Sequence, residues 1–343
     1  MNVKQILKQS VGLDVSKDTI AACFCQREAD NPMRVLSNRT FQASPAGYDQ
    51  MLVWVTKHRK AGTELRMVME ATGVYYEDAA YFLRENGLWL SLLLPNRSSA
   101  FAKSLSNKSK TDKIDAQMLG QLALERNLPM WEPPGETMLK IKRLCRERIG
   151  LLDQKTAVSN RSHARAFSHK PNANSHNRDL ESLAFIEKQV LAVEKEIKAT
   201  IKEDPVLQRK FDKICKIPGV GITTAVTVVA EANGFALFKN KAQLVSYAGY
   251  DVVRNESGTS IKSPTKMSKK GNSHIRKALY FPAIVAVKWC PEMKKIFNRM
   301  FEKHFVKMKA YVGIQRKLLV LIYTIFKSET DFDPNFKSPK APK

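Results

Sequence analysis

The sequence lacks the features of a membrane-spanning or disulfide-stabilised protein. No apolar run approaches the roughly 20 residues that a transmembrane helix requires, and residues 1–10 lack the apolar core of a signal peptide. The five cysteines are scattered, and only Cys23 and Cys25 lie close together. An odd, unpatterned set of this kind indicates free thiols in a reducing cytosol. The six histidines have no metal-ligand spacing. We therefore expect a cytoplasmic protein with no membrane partner and no zinc site.

Acidic residues are scarce relative to basic ones. The chain has 33 Asp and Glu against 57 Lys and Arg, which gives a formal net charge of +24. Such an excess is typical of a protein with a polyanionic partner, and nucleic acid is the first candidate. A merely basic surface and contact with anionic lipid are the alternatives. The length of 343 residues predicts two or three domains, and the hydrophobic share of 43% favours globular folding.

Residues 8–130 have the pattern of an α/β domain. Alternating and continuous apolar runs predict five strands, with helices between the later ones. The predicted strands are 11–15, 19–24, 35–41, 65–70 and 88–94. A meander of three strands followed by alternating helices and strands predicts a mixed sheet.

Four acidic residues in this region have positions that suit a metal site. Asp14 lies within the first strand, Glu70 ends the fourth, and Asp112 and Asp115 begin an apolar helix, with Lys110 beside them. Sites in open α/β sheets form at the carboxyl ends of strands, and carboxylates three residues apart share one helix face. The four acids can therefore converge, as in a ribonuclease-H-like nuclease that holds two metal ions. The alternative is that the helical pair only compensates the helix dipole and that Asp14 or Glu70 caps a turn.

The middle of the chain predicts a helical stalk. The Pro-rich segment Pro129–Gly135 indicates a domain boundary. Residues 136–203 then show two charged helices, and the second has an apolar heptad seam. This coiled-coil pattern fits an intramolecular helical hairpin and a stalk that pairs two protomers equally well.

Residues 204–330 predict a helical domain with a turn that suits phosphate. The segment Ile217–Gly221 places Gly219 and Gly221 between two helices. Such a turn resembles a helix-hairpin-helix element, whose backbone N–H groups grip a nucleic-acid backbone. Any tight connection between helices could use the same glycines. The Pro- and Lys-rich tail, residues 331–343, is predicted to be disordered.

A serine next to a glycine precedes a group of basic residues in this same region. Ser257 stands before Gly258, and the basic residues that follow are Lys266, Lys269, Lys270 and Arg276. A serine in such a turn can approach a ligand closely, and the cations can hold a phosphate as negative charge builds on it. An ordinary loop serine is the alternative.

Several short motifs in a fixed order identify a resemblance. The segments are Gly12–Lys17, Met69–Tyr75, Lys110–Ala116, Ile217–Gly221, Tyr247–Gly249, Glu256–Gly258, Met267–Gly271 and Arg276–Leu279. Together they resemble the DEDD-type transposases of bacterial insertion sequences, in particular the insertion-sequence-one-ten family of bridge-RNA-guided recombinases. The resemblance extends from about residue 10 to residue 328. The ordered set is far more specific than any one motif.

The resemblance implies a function and a site. Asp14, Glu70, Asp112 and Asp115 match the acids that bind Mg²⁺, which Mn²⁺ can replace, in the family's RuvC-like domain. Ser257 matches the nucleophilic serine of its transposase domain. The family also implies double-stranded donor and target DNA, a structured bridge RNA, a homo-oligomer between dimer and tetramer, and a place in the bacterial cytoplasm at the nucleoid.

Two other functions fit the same residues. A junction-resolvase-like endonuclease would use the four acids and two metal ions with water as the nucleophile, and would not need Ser257. A non-catalytic scaffold would only track phosphates of RNA or DNA with its basic helices. Covalent linkage of protein to DNA separates the recombinase from the endonuclease, and metal-dependent cleavage separates both from the scaffold.

Overall fold

The chain divides into two units, Met1–Pro133 and Pro134–Lys343. The computed structural model describes residues 5–105, 111–236, 238–253, 256–257, 261–262 and 265–333, and the side chains of residues 96, 256, 257, 261 and 262 lie outside the description. Lys110 and residues 334–343 of the predicted tail also lie outside it. The finer division of the second unit at residues 203 and 204 stays a prediction.

A mixed sheet of five strands forms the centre of the first unit. The strands are β1 (Ile6–Val15), β2 (Thr19–Glu28), β3 (Arg34–Gln42), β4 (Leu65–Glu70) and β5 (Leu90–Leu93). Their order is β3-β2-β1-β4-β5. β2 pairs antiparallel with β1 and β3, whereas β4 pairs parallel with β1 and β5. The predicted α/β class with a ribonuclease-H-like mixed sheet is confirmed.

Helices cover the two faces of this sheet. They are α1 (Pro45–His58), α2 (Glu77–Glu85), α3 (Pro95–Ser104) and α4 (Asp112–Glu125). Successive strand residues point to opposite faces. In β4, Met69 is buried in a core with Trp54 of α1, and Val68 is buried in a second core with Leu119 of α4. The α4 side of the sheet is therefore the side of Val68.

The second unit is helical. Its helices are α5 (Glu136–Ala166), α6 (Ala173–Lys202), α7 (Pro205–Ile214), α8 (Ile222–Glu231), α9 (Lys241–Tyr247), α10 (Ser273–Trp289), α11 (Pro291–His304) and α12 (Lys307–Ser328), with a 3-10 turn at Asn233–Phe235. Phe211, Phe235 and Leu318 are fully buried in their common core, which confirms the predicted helical class. Among the described residues, none forms a helix with both the length and the apolar character needed to cross a bilayer.

Helices α5 and α6 pair with each other within the chain. Arg148 Nε lies 2.7 Å from Glu194 Oε1 across the pair. Near the connection between the helices, buried Asp179 accepts hydrogen bonds from Arg161 Nη2 at 2.9 Å and Arg165 Nη1 at 2.7 Å. The stalk is thus an intramolecular hairpin, one of the two forms predicted. Pairing of protomers through its outer side stays a prediction.

Short strands surround Ser257. They are β6 (Val252–Val253), β7 (Glu256–Ser257), β8 (Ile261–Lys262) and β9 (Lys266–Met267). β6 pairs antiparallel with β9, and β7 pairs antiparallel with β8. We call these four strands the serine hairpin. In the chain, the outer pair of strands, β6 and β9, is connected to α9 and α10. Ser257 lies in the inner pair, β7 and β8. The sequence predicted only a polar segment here.

Two glycines allow α4 to lie against β1. A Cβ atom at Gly12 would overlap the Ala116 carbonyl oxygen and the Gly120 amide nitrogen. A Cβ at Gly120 would lie 2.9 Å from the Cys25 sulfur. Ser10 in β1 donates to the Gly120 carbonyl oxygen at 2.8 Å. The distance between α4 and the sheet therefore depends on the absence of side chains at these positions.

Replacing Gly12 with Ala should destabilise the first unit strongly. The new methyl group overlaps backbone atoms of α4, which cannot rotate away as a side chain can, so we expect a loss of about 3 kcal/mol or more in the free energy of unfolding. Urea unfolding followed by circular dichroism measures it. Gly150→Ala in α5 is the control, because no atom lies within 4 Å of its Cβ position and alanine favours a helix by about 0.5–1 kcal/mol. A wild-type unfolding midpoint for Gly12→Ala would contradict the close packing.

Candidate active site at the carboxyl edge of the sheet

Asp14 and Glu70 lie on adjacent strands at the same edge of the sheet. β1 and β4 pair in parallel with Leu13 opposite Met69, so the next residues, Asp14 and Glu70, lie beside each other. Neighbouring strands are about 4.8 Å apart. Because side chains alternate along a strand, Glu70 points to the same face as Val68, which is the α4 face.

The packing of α4 on β1 places Asp112 and Asp115 at this edge. Along β1, Lys8 Nζ donates to the Ala123 carbonyl oxygen at 2.7 Å and Ser10 Oγ to that of Gly120 at 2.8 Å. Gly12 lies against Ala116. Each step of two residues along β1, a rise of about 6.6 Å, thus corresponds to a step of three or four residues back along α4, a rise of about 4.5–6 Å. Continuing this antiparallel register puts Asp14 level with the first turn of α4.

The first turn of α4 contains both acids. The helix begins at Asp112, with Asp115 one turn on. Thr111 is the N-cap residue, and its hydroxyl accepts a hydrogen bond from the Ile114 amide at 3.3 Å. Carboxylates in a first turn are favoured by the helix dipole. The backbone therefore brings all four predicted acids to one edge of the sheet, although they come from three separate elements.

Hydroxyl groups orient the Glu70 carboxylate. Thr72 Oγ1 donates to Glu70 Oε1 at 3.0 Å, and Ser98 Oγ in α3 donates to Glu70 Oε2. A carboxylate has about four lone-pair sites, so each oxygen can still accept another donor or bind a cation. The sequence did not single out Thr72 or Ser98 for this role.

The side chains are not gathered into a closed metal cage. Over the described ranges of the chain, no three His, Cys, Asp or Glu side chains form a group that could hold a metal ion. The chemistry of the donor set still fits, because carboxylate oxygens are the ligands that Mg²⁺ and Mn²⁺ prefer. Binding of an ion by these acids would require a change of side-chain rotamer, with the backbone kept in place.

The predicted basic residues differ in their surroundings. Lys266 is exposed in β9 of the serine hairpin, and Lys269 and Lys270 are exposed just after it. Arg276 instead donates from Nη1 to the Ala248 carbonyl oxygen at 2.8 Å. Lys110 lies outside the described residues. Binding of nucleic acid by these side chains stays a prediction, and the structure adds a structural contact for Arg276.

Gly219 and Gly221 occupy the turn between α7 and α8. Gly219 has a positive φ of 84°, and a Cβ there would lie 2.5 Å from the Pro282 carbonyl oxygen of α10. Gly219 is thus needed for both the turn and the packing of α10. Gly221 is the N-cap residue of α8, supplies no side chain to cap its first amides, and has open space at its Cβ position. Phosphate binding at either glycine stays a prediction.

One buried acid of the second unit has no place in the predicted site. Glu231, at the end of α8, is 2% exposed. Burial by itself raises the pKa of this carboxyl, but hydrogen bonds from Arg146 and Asn272 and the charge of Arg146 hold it below its usual value. An acid at the end of the apolar run Ile222–Ala230 was the available signal, because a buried carboxylate must be paired.

Comparison with known proteins defines the class of the chain. A model of the DEDD transposases of the IS110 group matches residues 11–166. A second, described as the Transposase IS116/IS110/IS902 family, matches residues 212–298. Together they match more than half of the chain, which makes it a DNA transposase. The chain belongs to the IS110 family of DEDD-type transposases and is an enzyme that acts on DNA.

Individual relatives agree with this family. The chain is 28% identical to the pilin gene-inverting protein of Moraxella bovis over 95% of this chain and 98% of that one. It is 23% identical to an uncharacterized protein of insertion element IS110 from Streptomyces coelicolor, over 44% of this chain and 36% of that one. Among solved structures, Thermus thermophilus RuvC in complex with a Holliday junction is 12% identical with a TM-score of 0.28, over 36% of this chain and 99% of that one. A score that low supports no conclusion about function.

Proposed function

We propose that the chain cuts and rejoins DNA through a covalent phosphoserine intermediate. The observation that carries this proposal is the pair of backbone registers, β1 with β4 and β1 with α4, which bring the chain positions of Asp14, Glu70, Asp112 and Asp115 to one edge of the sheet. A site of this kind in a transposase suits phosphoryl transfer. A relative named for gene inversion adds support, since inversion requires that every cut end be rejoined.

The four carboxylates would hold Mg²⁺, with Mn²⁺ as a substitute. Such an ion neutralises charge on the phosphate and on the leaving oxygen. Thr72 and Ser98 keep the Glu70 carboxylate oriented, which reduces the freedom that the carboxylate would lose on binding a cation. Asp112 and Asp115 add negative charge where the helix dipole favours it.

Ser257 would be the nucleophile. Its Oγ forms an ester bond with the phosphorus as the bond to the 3′ oxygen breaks, and the serine proton passes to solvent while the 3′ oxygen becomes a hydroxyl. The phosphoserine keeps the energy of the broken ester. Attack on it by the 3′ hydroxyl of another strand forms a new phosphodiester and restores the serine, so no ATP is needed.

The partners follow from the family and the charge. We propose double-stranded donor and target DNA and a structured bridge RNA that selects them by base pairing. A formal net charge of +24 suits a chain that holds several polyanions at once. We further propose that the active form is a homo-oligomer between dimer and tetramer.

A denaturing gel tests the proposal. Labelled DNA containing an element end is incubated with the protein, with and without Mg²⁺ and the transcript flanking the gene, and is then resolved in denaturant. We expect a protein-linked DNA band that needs Mg²⁺ and disappears with chelator. Cleaved DNA with no linked protein would favour the two-metal endonuclease, and no cleavage under any condition would leave the non-catalytic scaffold.

A further inference from the structure

Glu231 joins α5 to the start of α10. Arg146 of α5 donates from Nε to Glu231 Oε1 at 2.7 Å and from Nη2 to Oε2 at 3.0 Å. Asn272 donates from Nδ2 to the same Oε2 at 2.7 Å. The Glu231 side chain is fully buried, whereas that of Arg146 is 45% exposed. One carboxylate oxygen thus accepts a hydrogen bond from each of two separate segments.

Asn272 also contacts the start of α10 and the end of α9, and its Nδ2 lies 3.4 Å from the Tyr247 hydroxyl. Its Oδ1 caps α10 by accepting from the His274 amide at 2.9 Å and the Ile275 amide at 3.2 Å. Its own amide donates to the Tyr247 carbonyl oxygen at 2.8 Å. Asn272 therefore connects Glu231 to the end of α9, which lies just before β6 in the chain.

The base of the serine hairpin is packed backbone against backbone at this point. A Cβ at Gly271 would overlap the Tyr247 carbonyl oxygen, and one at Gly249 would lie 3.2 Å from the Lys269 carbonyl carbon. The Lys269 amide donates to the Gly249 carbonyl oxygen at 3.2 Å. The two chain segments that enter and leave the serine hairpin are thus held together next to Asn272.

We propose that Glu231, Arg146 and Asn272 form a positioning cluster that fixes the base of the serine hairpin to α5. We assign them as positioning residues, because they would act through the place of Ser257 and not by bonding to the reacting phosphate. The inference rests on the proposed role of Ser257 and adds to it the parts of the chain that set its place. A nucleophile displaced by about 1 Å can lose about 100-fold in rate, so such anchoring is needed.

The partial exposure of Arg146 favours a role of the cluster in fixing the hairpin base over a role in core stability alone. A buried pair held only for the core would be replaceable by apolar residues. Here one partner lies on the surface of α5 and the other caps α10, so the carboxylate connects elements far apart in sequence. Any displacement of α5 would act on the hairpin base through two hydrogen bonds to Glu231.

Asn272→Ser is the decisive variant. Serine caps a helix about as well as asparagine, so α10 keeps its cap while the bond to Glu231 is lost. We expect the phosphoserine adduct to form about 10- to 100-fold more slowly, with the Kd for DNA changed less than about threefold. Glu231→Gln should also slow adduct formation. In the double variant, the fold-decrease in adduct rate should be smaller than the product of the two single decreases, because both changes break the same hydrogen bond.

Glu194→Gln is the matched control. It removes a carboxylate that also pairs with an arginine of α5, at 2.7 Å, but that lies within the helical hairpin. We expect a wild-type rate of adduct formation for it. If Glu231→Gln fails to fold, as a thermal melt would reveal, Asn272→Ser provides the test alone.

A second measurement needs no activity. Trypsin cleavage after Lys266, Lys269 and Lys270, located by mass spectrometry, should become about fivefold faster in Asn272→Ser but not in Glu194→Gln. A wild-type rate of trypsin cleavage in Asn272→Ser would overturn the proposed cluster. So would a wild-type rate of adduct formation in Asn272→Ser, provided that the adduct depends on Ser257. An adduct that persists in Ser257→Ala would instead overturn the proposed function, and the trypsin result would then decide the cluster separately.

Discussion

Asp115→Asn should lower Mg²⁺-dependent DNA cleavage by about 1,000-fold or more. Asparagine has nearly the shape of aspartate, so the fold should survive, but it removes one negative charge from the set that would bind the cation. Asp115 is in the first turn of α4, where the loss of dipole compensation costs only about 0.3–1 kcal/mol. Single-turnover cleavage of labelled DNA at saturating protein measures the chemical step.

Asp49→Asn is the control for this variant. Asp49 is exposed on α1, and its replacement changes the net charge by the same amount. We expect it to cleave at the wild-type rate and to bind DNA as the wild type does. Cleavage by Asp115→Asn within a few-fold of wild type would show that the first turn of α4 does not bind the cation, and would remove the central support of the proposed function.

The sheet and the places of the acids could be predicted because they depend on local pattern. Apolar alternation located the strands, and the rule that sites form at carboxyl ends of strands placed Asp14 and Glu70 together. The register of Leu13 with Met69 confirms that they are neighbours. The grouping of their carboxylates around a metal ion depends on side-chain rotamers, which no sequence pattern specifies.

Close packing could not be predicted, because it depends on which elements meet. Gly12 and Gly120 appeared as ordinary residues of a strand and a helix, yet each allows an approach that a methyl group would block. Gly219 was predicted as a phosphate-binding residue, and the structure shows that its missing side chain makes room for α10. A glycine in a motif can therefore mark packing as well as ligand binding.

The surroundings of Ser257 were the hardest part to predict. Strands of two residues give too short an alternation to detect, so β6 to β9 were missed. Asn272 is 41 residues and Arg146 is 85 residues from Glu231 along the chain. Only the fold brings the three together. The part of the chain that matters most for the proposed nucleophile is thus set by long-range contacts.

Ser257→Ala should abolish the protein-linked DNA band while leaving DNA binding intact. Alanine removes the only atom that could form the phosphate ester at this position, so no adduct should accumulate above background. The backbone pairing of β7 with β8 requires no side chain from Ser257, and the Kd for DNA should stay within about threefold of wild type. Adduct yield on a denaturing gel and binding by fluorescence anisotropy are measured on the same preparations.

Ser260→Ala and Ser268→Ala are the controls, since these serines lie close to Ser257 in sequence. Ser268 Oγ donates to the Gly249 carbonyl oxygen at 3.2 Å, so its loss should slow adduct formation modestly through the hairpin base without abolishing it. Cleavage that continues in Ser257→Ala with free DNA ends would mean that water is the nucleophile and that the enzyme is an endonuclease. An adduct absent from Ser260→Ala but present in Ser257→Ala would assign the nucleophile to Ser260 instead.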